Sequence, residues 1–474
     1  MKTHDLCDKL TFEECELAIL RQAVDKADNI LGNLIVNSPD IKQIFSIVET
    51  FIKTKKLIPY GGIAINAILP KTAQFYNRDI ELPDYDFYSP DALNDTKELC
   101  DLYAKAGYEE VEGKPGIHAG TYKVFVNFIP VADITYIHKD IFDALKRDAI
   151  MVSGILYAPA NFLRMSMYLE LSRPYGDTSR WEKVAKRIAL LNKYYPLRGN
   201  NCSTDRFQRN LEDDIEDKSI EENIFNTTLN VFIDQGCVFF GGYAMSQYSK
   251  YMPKHLQAKY KRAADFDILS DDPEPLIDIL KDRLREIGVK KVRVVSRDSI
   301  GDIIAPHYQV IIGKDDTIAF IYKPVACHSY NVITVNDRKV NIASIDTMLS
   351  FYLAFLYSGR DYYDYLRILC MSQYLFQVQQ HNRLEQRGVL KRFSTTCYGH
   401  QPTLEELRAK KSEKYKELRG KRNSADYETY FLRYRPADKK YDSNKSSMHN
   451  KTSKMGVKPR RRRNTKKRAS GFFF

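Results

Sequence analysis

The chain has 474 residues, enough for two or three domains each with its own core. Hydrophobic residues make up 43% and charged residues 28%, an ordinary globular balance, and no apolar run approaches the roughly 18 residues that a membrane span needs. The opening Met1-Lys2-Thr3-His4-Asp5 starts no apolar segment, so a secretory signal is not expected. The net charge of +12 is concentrated at one end: residues 451–468 hold ten Lys or Arg and no acid, leaving +2 (12 − 10) on the body. Eight scattered cysteines form no Cys-x-x-Cys pair, so neither a zinc site nor a redox motif is suggested, and reduced thiols in a cytosolic or nuclear compartment are expected.

In chain order, Thr11-Phe12-Glu13-Glu14 has the spacing of a capping box. Ile41, Ile44, Phe45, Ile47, Val48, Phe51 and Ile52 then recur at a helical period, so 11–56 is predicted helical. From about 57 to 137 the texture is of short strands broken by Gly and Pro: 121–129 is rich in β-formers, and 131–137 reads as the next strand. Residues 155–195 are predicted to return to helix. An acidic stretch, 200–223, reads as a connection. The same strand, glycine and helix texture then repeats to about 380, and 403–436 is charged and helical in pattern. After about 437, Ser, Asn, Lys and Arg cannot build a core, and a disordered basic tail is expected. The predicted class is α+β, two tandem modules of mixed sheet with flanking helices. The expected divisions are a helical region 1–56, a first module 57–199, a connection 200–225, a second module 226–385, a charged helical region 386–436 and the tail 437–474.

The repeat is legible in residues. Phe240-Gly241-Gly242-Tyr243-Ala244 echoes Tyr60-Gly61-Gly62-Ile63-Ala64, and Asp265-Phe266-Asp267-Ile268 echoes Asp84-Tyr85-Asp86-Phe87. Leu349-Ser350-Phe351-Tyr352-Leu353 echoes Met165-Ser166-Met167-Tyr168-Leu169. Three matches in one order, at offsets of 180 (242 − 62), 181 (265 − 84) and 184 (349 − 165), point to a duplicated module.

Asp84 and Asp86, two apart on a predicted strand, project from one face. Most isolated Asp-x-Asp pairs are turns or solvated loops, so the pair alone says little. Asp133 is different, because it lies in an apolar strand, Val131-Ala132-Asp133-Ile134, where a lone carboxylate is costly and needs a metal or a partner. Three converging carboxylates suit hard divalent ions, Mg²⁺ or Mn²⁺. Gly61-Gly62, 22 residues before Asp84, sits between a short apolar strand and a helix. Glycines there let backbone N–H groups approach phosphates, although a lone Gly-Gly is more often a simple turn.

Taken together, Gly61-Gly62-Ile63-Ala64-Ile65-Asn66, Pro83-Asp84-Tyr85-Asp86-Phe87 and the distant Asp133 resemble the polymerase-β-like nucleotidyltransferase superfamily. The form of the motifs is similar to the poly(A) polymerases of large cytoplasmic DNA viruses, and the duplication to the giant-virus branch more than to the poxvirus catalytic subunit. The resemblance covers roughly residues 40–380. It implies ATP as donor, an RNA 3′-hydroxyl as acceptor, two metal ions on Asp84, Asp86 and Asp133, and the phosphates near Gly61, Gly62 and Asn66. It also implies a cytoplasmic viral setting, with packaging in the virion and a nuclear location left open. A homodimer is permitted by the sequence. A uridylyl- or CCA-adding transferase, an oligoadenylate synthase-like enzyme and a non-catalytic RNA-binding processivity subunit are the alternatives.

In the second copy Asp265 and Asp267 remain, but aligning Ala132-Asp133-Ile134-Thr135 with Ala319-Phe320-Ile321-Tyr322 puts Phe320 at the third carboxylate, so this copy is expected to be inactive. Asp315-Asp316, beside Gly313-Lys314, reads as a hairpin turn rather than a substitute. The cations Arg164, Arg173, Arg180, Lys183 and Arg187 suit the triphosphate or the RNA backbone, and a merely solvated face at least as well; Lys183 and Arg187, four apart on one face, are the better candidates among them. Trp181, Tyr85 and Tyr88 are candidates for base stacking, weakened by the presence of 32 tyrosines, most of which must simply pack. The tail fits RNA phosphates and a nuclear-targeting signal equally well.

Overall fold

The computed structural model describes residues 7, 10–208, 218–260, 262–301, 303–383 and 385–438. Helix α1 (Phe12–Val36) opens on the predicted capping box, with the Glu14 N–H donating to Thr11 Oγ1 (3.3 Å) and the Thr11 N–H to Glu14 Oε2 (2.8 Å). It buries none of its residues. Helix α2 (Pro39–Lys55) buries Ile41, Ile44, Phe45, Val48, Phe51 and Ile52, the stripe its periodicity predicts. It is part of the first module, because it packs on that module's strands.

That module continues with β1 (Ile58–Pro59), α3 (Gly61–Ile68), β2 (Tyr85–Ser89), α4 (Ala92–Lys105), β3 (Val111–Pro115), β4 (Thr121–Val126) and β5 (Ile129–Tyr136). Asn127 and Phe128, both at positive φ, make the tight turn that separates β4 from β5. After α5 (Lys139–Arg147) comes a hairpin, β6 (Ile150–Val152) and β7 (Ile155–Tyr157), then α6 (Ala160–Leu171) and α7 (Trp181–Tyr194). The expectation of helix from 155 is corrected: a positive-φ pair, Ser153-Gly154, folds 150–157 into a hairpin, and helix starts only at Ala160.

The second module repeats this order. It comprises α8 (Lys218–Asp234), β8 (Val238–Phe239), α9 (Gly242–Ser249), β9 (Phe266–Leu269), α10 (Pro273–Glu286), β10 (Val292–Arg297), β11 (His307–Ile312) and β12 (Asp316–Tyr322). A hairpin of β13 (His328–Val335) and β14 (Arg338–Ala343) precedes α11 (Ile345–Phe355) and α12 (Tyr365–His381). Helix α8 begins inside the connection expected at 200–225.

The sheets give the duplication its firmest form. The first runs β1-β2-β5-β4-β3, and the second contains β8-β9-β12-β11-β10, the same order with the same directions. They differ in the hairpin: β6-β7 stands apart, whereas β14 joins β8 and extends the second sheet through β13 to β15 (Cys397–Tyr398). Residues 386–436 are therefore not all helical as expected, although α13 (Leu404–Leu418) and α14 (Ala425–Phe431) follow. This last segment returns to the first module, where Tyr434 and Gly113 exchange backbone hydrogen bonds (2.8 and 3.0 Å) along the β3 edge.

Helices α6 and α11, equivalent in the repeat, pack on each other, with Phe162 edge-on to Tyr357 at 5.3 Å between ring centres. The apolar core is one cluster drawn from both modules. Among the described residues no helix is long and apolar enough to cross a membrane. Six of the eight expected thiols are brought together in pairs, Cys7–Cys15, Cys202–Cys370 and Cys327–Cys397, with Cα separations of 5.0, 5.3 and 5.5 Å, within reach of a disulfide, while Cys100 and Cys237 are buried and free. Sequence spacing gave no sign of this, because two of the pairs join residues 168 and 70 positions apart. The tail expected at 437–474 lies, from residue 439 on, outside the described residues.

Candidate active site

Strands β2 and β5 run parallel with Asp86 opposite Asp133, and Asp84 stands just before β2, its carbonyl accepting from the Asp86 N–H (3.2 Å). Facing them, the Tyr60 N–H donates to the Asp86 carbonyl (2.9 Å), which fixes the β1–α3 turn against β2. Gly61 has φ +66°, and a Cβ there would lie 3.1 Å from Asp86 Oδ2, so glycine serves both the backbone conformation and the close approach of the carboxylate.

The electrostatics are those of crowded acids. Burial, then the Asp84 and Asp133 charges, push the Asp86 carboxyl up to about 7. Asp84 is raised by burial and by Asp133, with Lys123 and Lys183 opposing. Lys123, the β4 neighbour of Asp133, forms an ion pair with it. Among the described residues no group of three or more His, Cys, Asp or Glu side chains is drawn together tightly enough to hold an ion as it stands. Asp84, Asp86 and Asp133 nevertheless fit divalent cations: hard oxygen donors on two adjacent strands, self-repelling, with one turned to a lysine that can release it.

Around this core the other predicted residues divide. Arg187, on α7, reaches the start of α3: its Nη2 donates to the Tyr76 hydroxyl (2.7 Å), its guanidinium lies over the Phe75 ring, and a Cβ on Gly62 would come within 2.9 Å of it. A guanidinium beside a helix N-terminus can hold phosphate. Lys183 acts electrostatically on Asp84 and Glu170. Asn66 is buried, and its Oδ1 accepts from the Phe75 and Tyr76 N–H groups (2.7 and 3.0 Å); it secures the loop beneath Arg187. With Ile63, Tyr76, Arg78 and Asp84 it lines a cavity of about 260 Å³ next to the carboxylates.

Other candidates turn inward. Arg164 is fully buried, bonded to Asn192 Oδ1 (2.8 Å), Asn161 and the Tyr195 carbonyl, so it is a structural cation. Arg180 pairs with Glu170 (3.2 Å), whose carbonyl accepts from Trp181 Nε1 (3.1 Å). Tyr85 donates to Glu49, and Tyr88 stacks on Tyr60 at 3.9 Å, so neither ring is open to a base. Sequence reasoning missed Lys123; its place one strand from Asp133, in a β-rich run, was the available signal.

The second module lacks this arrangement. The Phe240 N–H donates to the Asp267 carbonyl (2.9 Å), as Tyr60 does to Asp86, and Phe320 faces Asp267 as Asp133 faces Asp86. Phe320 is 1% exposed and stacks on Tyr362 at 5.1 Å. Asp265 is paired with Arg367 (3.3 Å), and Gln309 stands where Lys123 does. Asp315 lies in the β11–β12 turn, where it pairs with Arg293 (2.8 Å).

Asp84, Asp86 and, on the parallel neighbour strand, Asp133 thus lie together beside a glycine turn and a helix N-terminus. Residues 46–177, which contain them, match the family model of the poly(A) polymerase catalytic subunit. The chain is 33% identical over 184 residues to a candidate poly(A) polymerase catalytic subunit of Acanthamoeba polyphaga mimivirus, covering 38% of this chain and 30% of that protein. It is 32% identical over 167 residues to the corresponding protein of African swine fever virus, covering 34% and 35%. The matched segment thus spans about a third of these relatives. The crystal structure of the Megavirus polyadenylate synthase shares the fold over 93% of this chain and 89% of that one, with a TM-score of 0.73 at 21% identity.

If Gly62 must stay bare for Arg187 and Tyr76, Gly62→Ala should lower kcat/KM for the nucleotide by roughly 10–100-fold without unfolding the protein. Gly242→Ala, its counterpart, should leave the rate within a few-fold. Initial rates and circular dichroism of both variants check this.

Proposed function

We propose that the chain is a template-independent polynucleotide adenylyltransferase that adds AMP from ATP to RNA 3′ ends. The observation that carries the reading is the parallel register of Asp86 and Asp133, with Asp84 adjacent and the Gly61-Gly62 turn against them, inside the segment that matches the catalytic-subunit family. Asp84, Asp86 and Asp133 would hold two Mg²⁺ or Mn²⁺ ions, which when bound activate the attacking hydroxyl and neutralise the leaving pyrophosphate. Gly62, the α3 N-terminus, Arg187 and Lys183 orient the triphosphate. Lys123 keeps Asp133 compensated until ligands arrive. Incubating the protein with a short RNA primer and each NTP separately tests the reading; extension by ATP alone is expected, and no extension with any NTP and Mn²⁺ would overturn it.

The viral relatives support a viral, cytoplasmic setting; action in the viral factory belongs to the same proposal, with packaging in the virion and a nuclear location left open. A homodimer is part of the proposal as well. Helix α1 exposes Leu17, Leu20, Val24, Leu31 and Leu34 along one face, at steps of three, four, seven and three residues, a seam suited to a second helix. The tail is assigned to RNA phosphates: deleting 451–474 should leave single-nucleotide addition largely intact and flatten the salt dependence of RNA binding, by about 0.7 in the log–log slope per lost phosphate contact. Filter binding across a salt series measures this, and an unchanged slope would assign the tail to targeting.

A further inference from the structure

The second module keeps a cavity where its metal site is lost. It has a volume of about 330 Å³, at the lower end of the roughly 300–1,000 Å³ of ligand sites. It occupies the place in the repeat of the cavity beside Asp84. Tyr243 and Ser246 line it as Ile63 and Asn66 line the first, each 180 positions later, and Asp265 stands where Asp84 does. The chemistry of the lining differs. Glu81 in the first cavity corresponds, 181 positions on, to Arg262 in the second, and Lys250 adds a further cation. Lys250 Nζ donates to a neutral partner, Gln247 Oε1 (2.6 Å), whereas Arg262 pairs with Glu222 at the rim. Phe225, Tyr243 and Phe266 supply aromatic surface. The Tyr260 hydroxyl, also in the lining, is buried and has no hydrogen-bond partner among the described residues. A buried hydroxyl left unmade is costly unless a ligand completes it.

We infer that this cavity binds one nucleoside monophosphate unit without a metal ion, its base on the aromatic wall and its phosphate toward Lys250. Resting on the adenylyltransferase reading, the unit is an adenylate, supplied either as free AMP or as a residue of the RNA product. The ion pair of Asp265 with Arg367 and the ring of Phe320 take away two of the three carboxylates of a metal site, leaving Asp267 too few acids beside it to make the cavity reactive. Bound there, an adenylate is held and not processed, which gives the chain a second grip on its product between additions.

The test is binding of AMP and of a nine-residue oligo(A) to the full chain in EDTA, by calorimetry, beside single-nucleotide addition to a primer with Mg²⁺. Lys250→Glu, at an exposed position, and Tyr260→Phe, which removes only the hydroxyl, should each weaken metal-free binding about 5- to 10-fold. Ser246→Phe, which fills the cavity, should weaken it more. None should change the primer-extension rate beyond a few-fold. Binding of AMP and oligo(A) alike identifies the nucleotide unit; binding of oligo(A) alone identifies the RNA product as its source. Metal-free binding that is absent, or indifferent to Lys250→Glu and Tyr260→Phe, overturns the inference. Because primer extension is read separately, that failure is distinct from a failure of the adenylyltransferase reading.

Discussion

Asp86→Asn is expected to reduce AMP addition by roughly 10³-fold or more while raising the thermal midpoint of the metal-free protein. The loss follows from removing a carboxylate proposed to hold the metal ions. The gain follows from its charge: the Asp86 carboxyl sits at about 7 in the fold against an ordinary 3.8. A raised carboxyl binds its proton more tightly in the folded chain than in the unfolded one. Metal-free stability therefore falls as pH rises from about 4 through about 7 and is level above, with a span of at most ~4 kcal/mol for this group. Mn²⁺ should reverse the trend, raising the midpoint more at pH 8 than at pH 5. In Asp86→Asn both the pH slope and the metal shift should shrink. Thermal melts across pH, with and without Mn²⁺, read all of this; an active Asp86→Asn enzyme would mean that the acids have been misassigned.

The second large effect lies in the other module and separates stability from chemistry. Asp265→Ala leaves the Arg367 guanidinium largely buried without its carboxylate and should cost about 3–5 kcal/mol. Phe320→Asp removes a buried ring packed on Tyr362 and His307 and inserts a charge; it should cost at least ~4 kcal/mol. At temperatures where each variant is folded, AMP addition per folded molecule should stay within a few-fold of wild type. Denaturant melts beside primer extension decide it. Should Asp265→Ala abolish chemistry in folded protein while Asp133→Asn spares it, the active and inactive modules have been exchanged.

Much of this was legible in the sequence because the duplicated motifs sit where the chain has little freedom. Gly61-Gly62, Asp84-Tyr85-Asp86 and Asp133 are bound to strand register, so a fixed offset exposed their copies, and Phe320 falls opposite Asp267 as the alignment predicts. Elements that depend on partners distant in sequence were less visible. The strands that close the two hairpins, β7 with three residues and β14 with six, are too short to show a period. Arg164 and Trp181 carry groups that also bind nucleic acids, and only the packing reveals that asparagines and backbone carbonyls occupy them. The Asp265–Arg367 pair spans 102 positions, so the sequence shows a leftover ligand where the fold has a structural anion.

The packing of α6 against α11 ties the two modules together. The Ser329 N–H donates to the Ser172 carbonyl (2.7 Å), and Tyr357 closes over Phe162, so the second module supplies part of the wall of the first. A change opposite Asp267, such as the ring of Phe320, leaves this seam intact. A module held by such a seam can change in its chemistry more readily than it can be removed, because its loss would strip packed surface from its neighbour. Calorimetry should show a single cooperative transition for the pair, and neither half expressed alone should melt as it does in the intact chain.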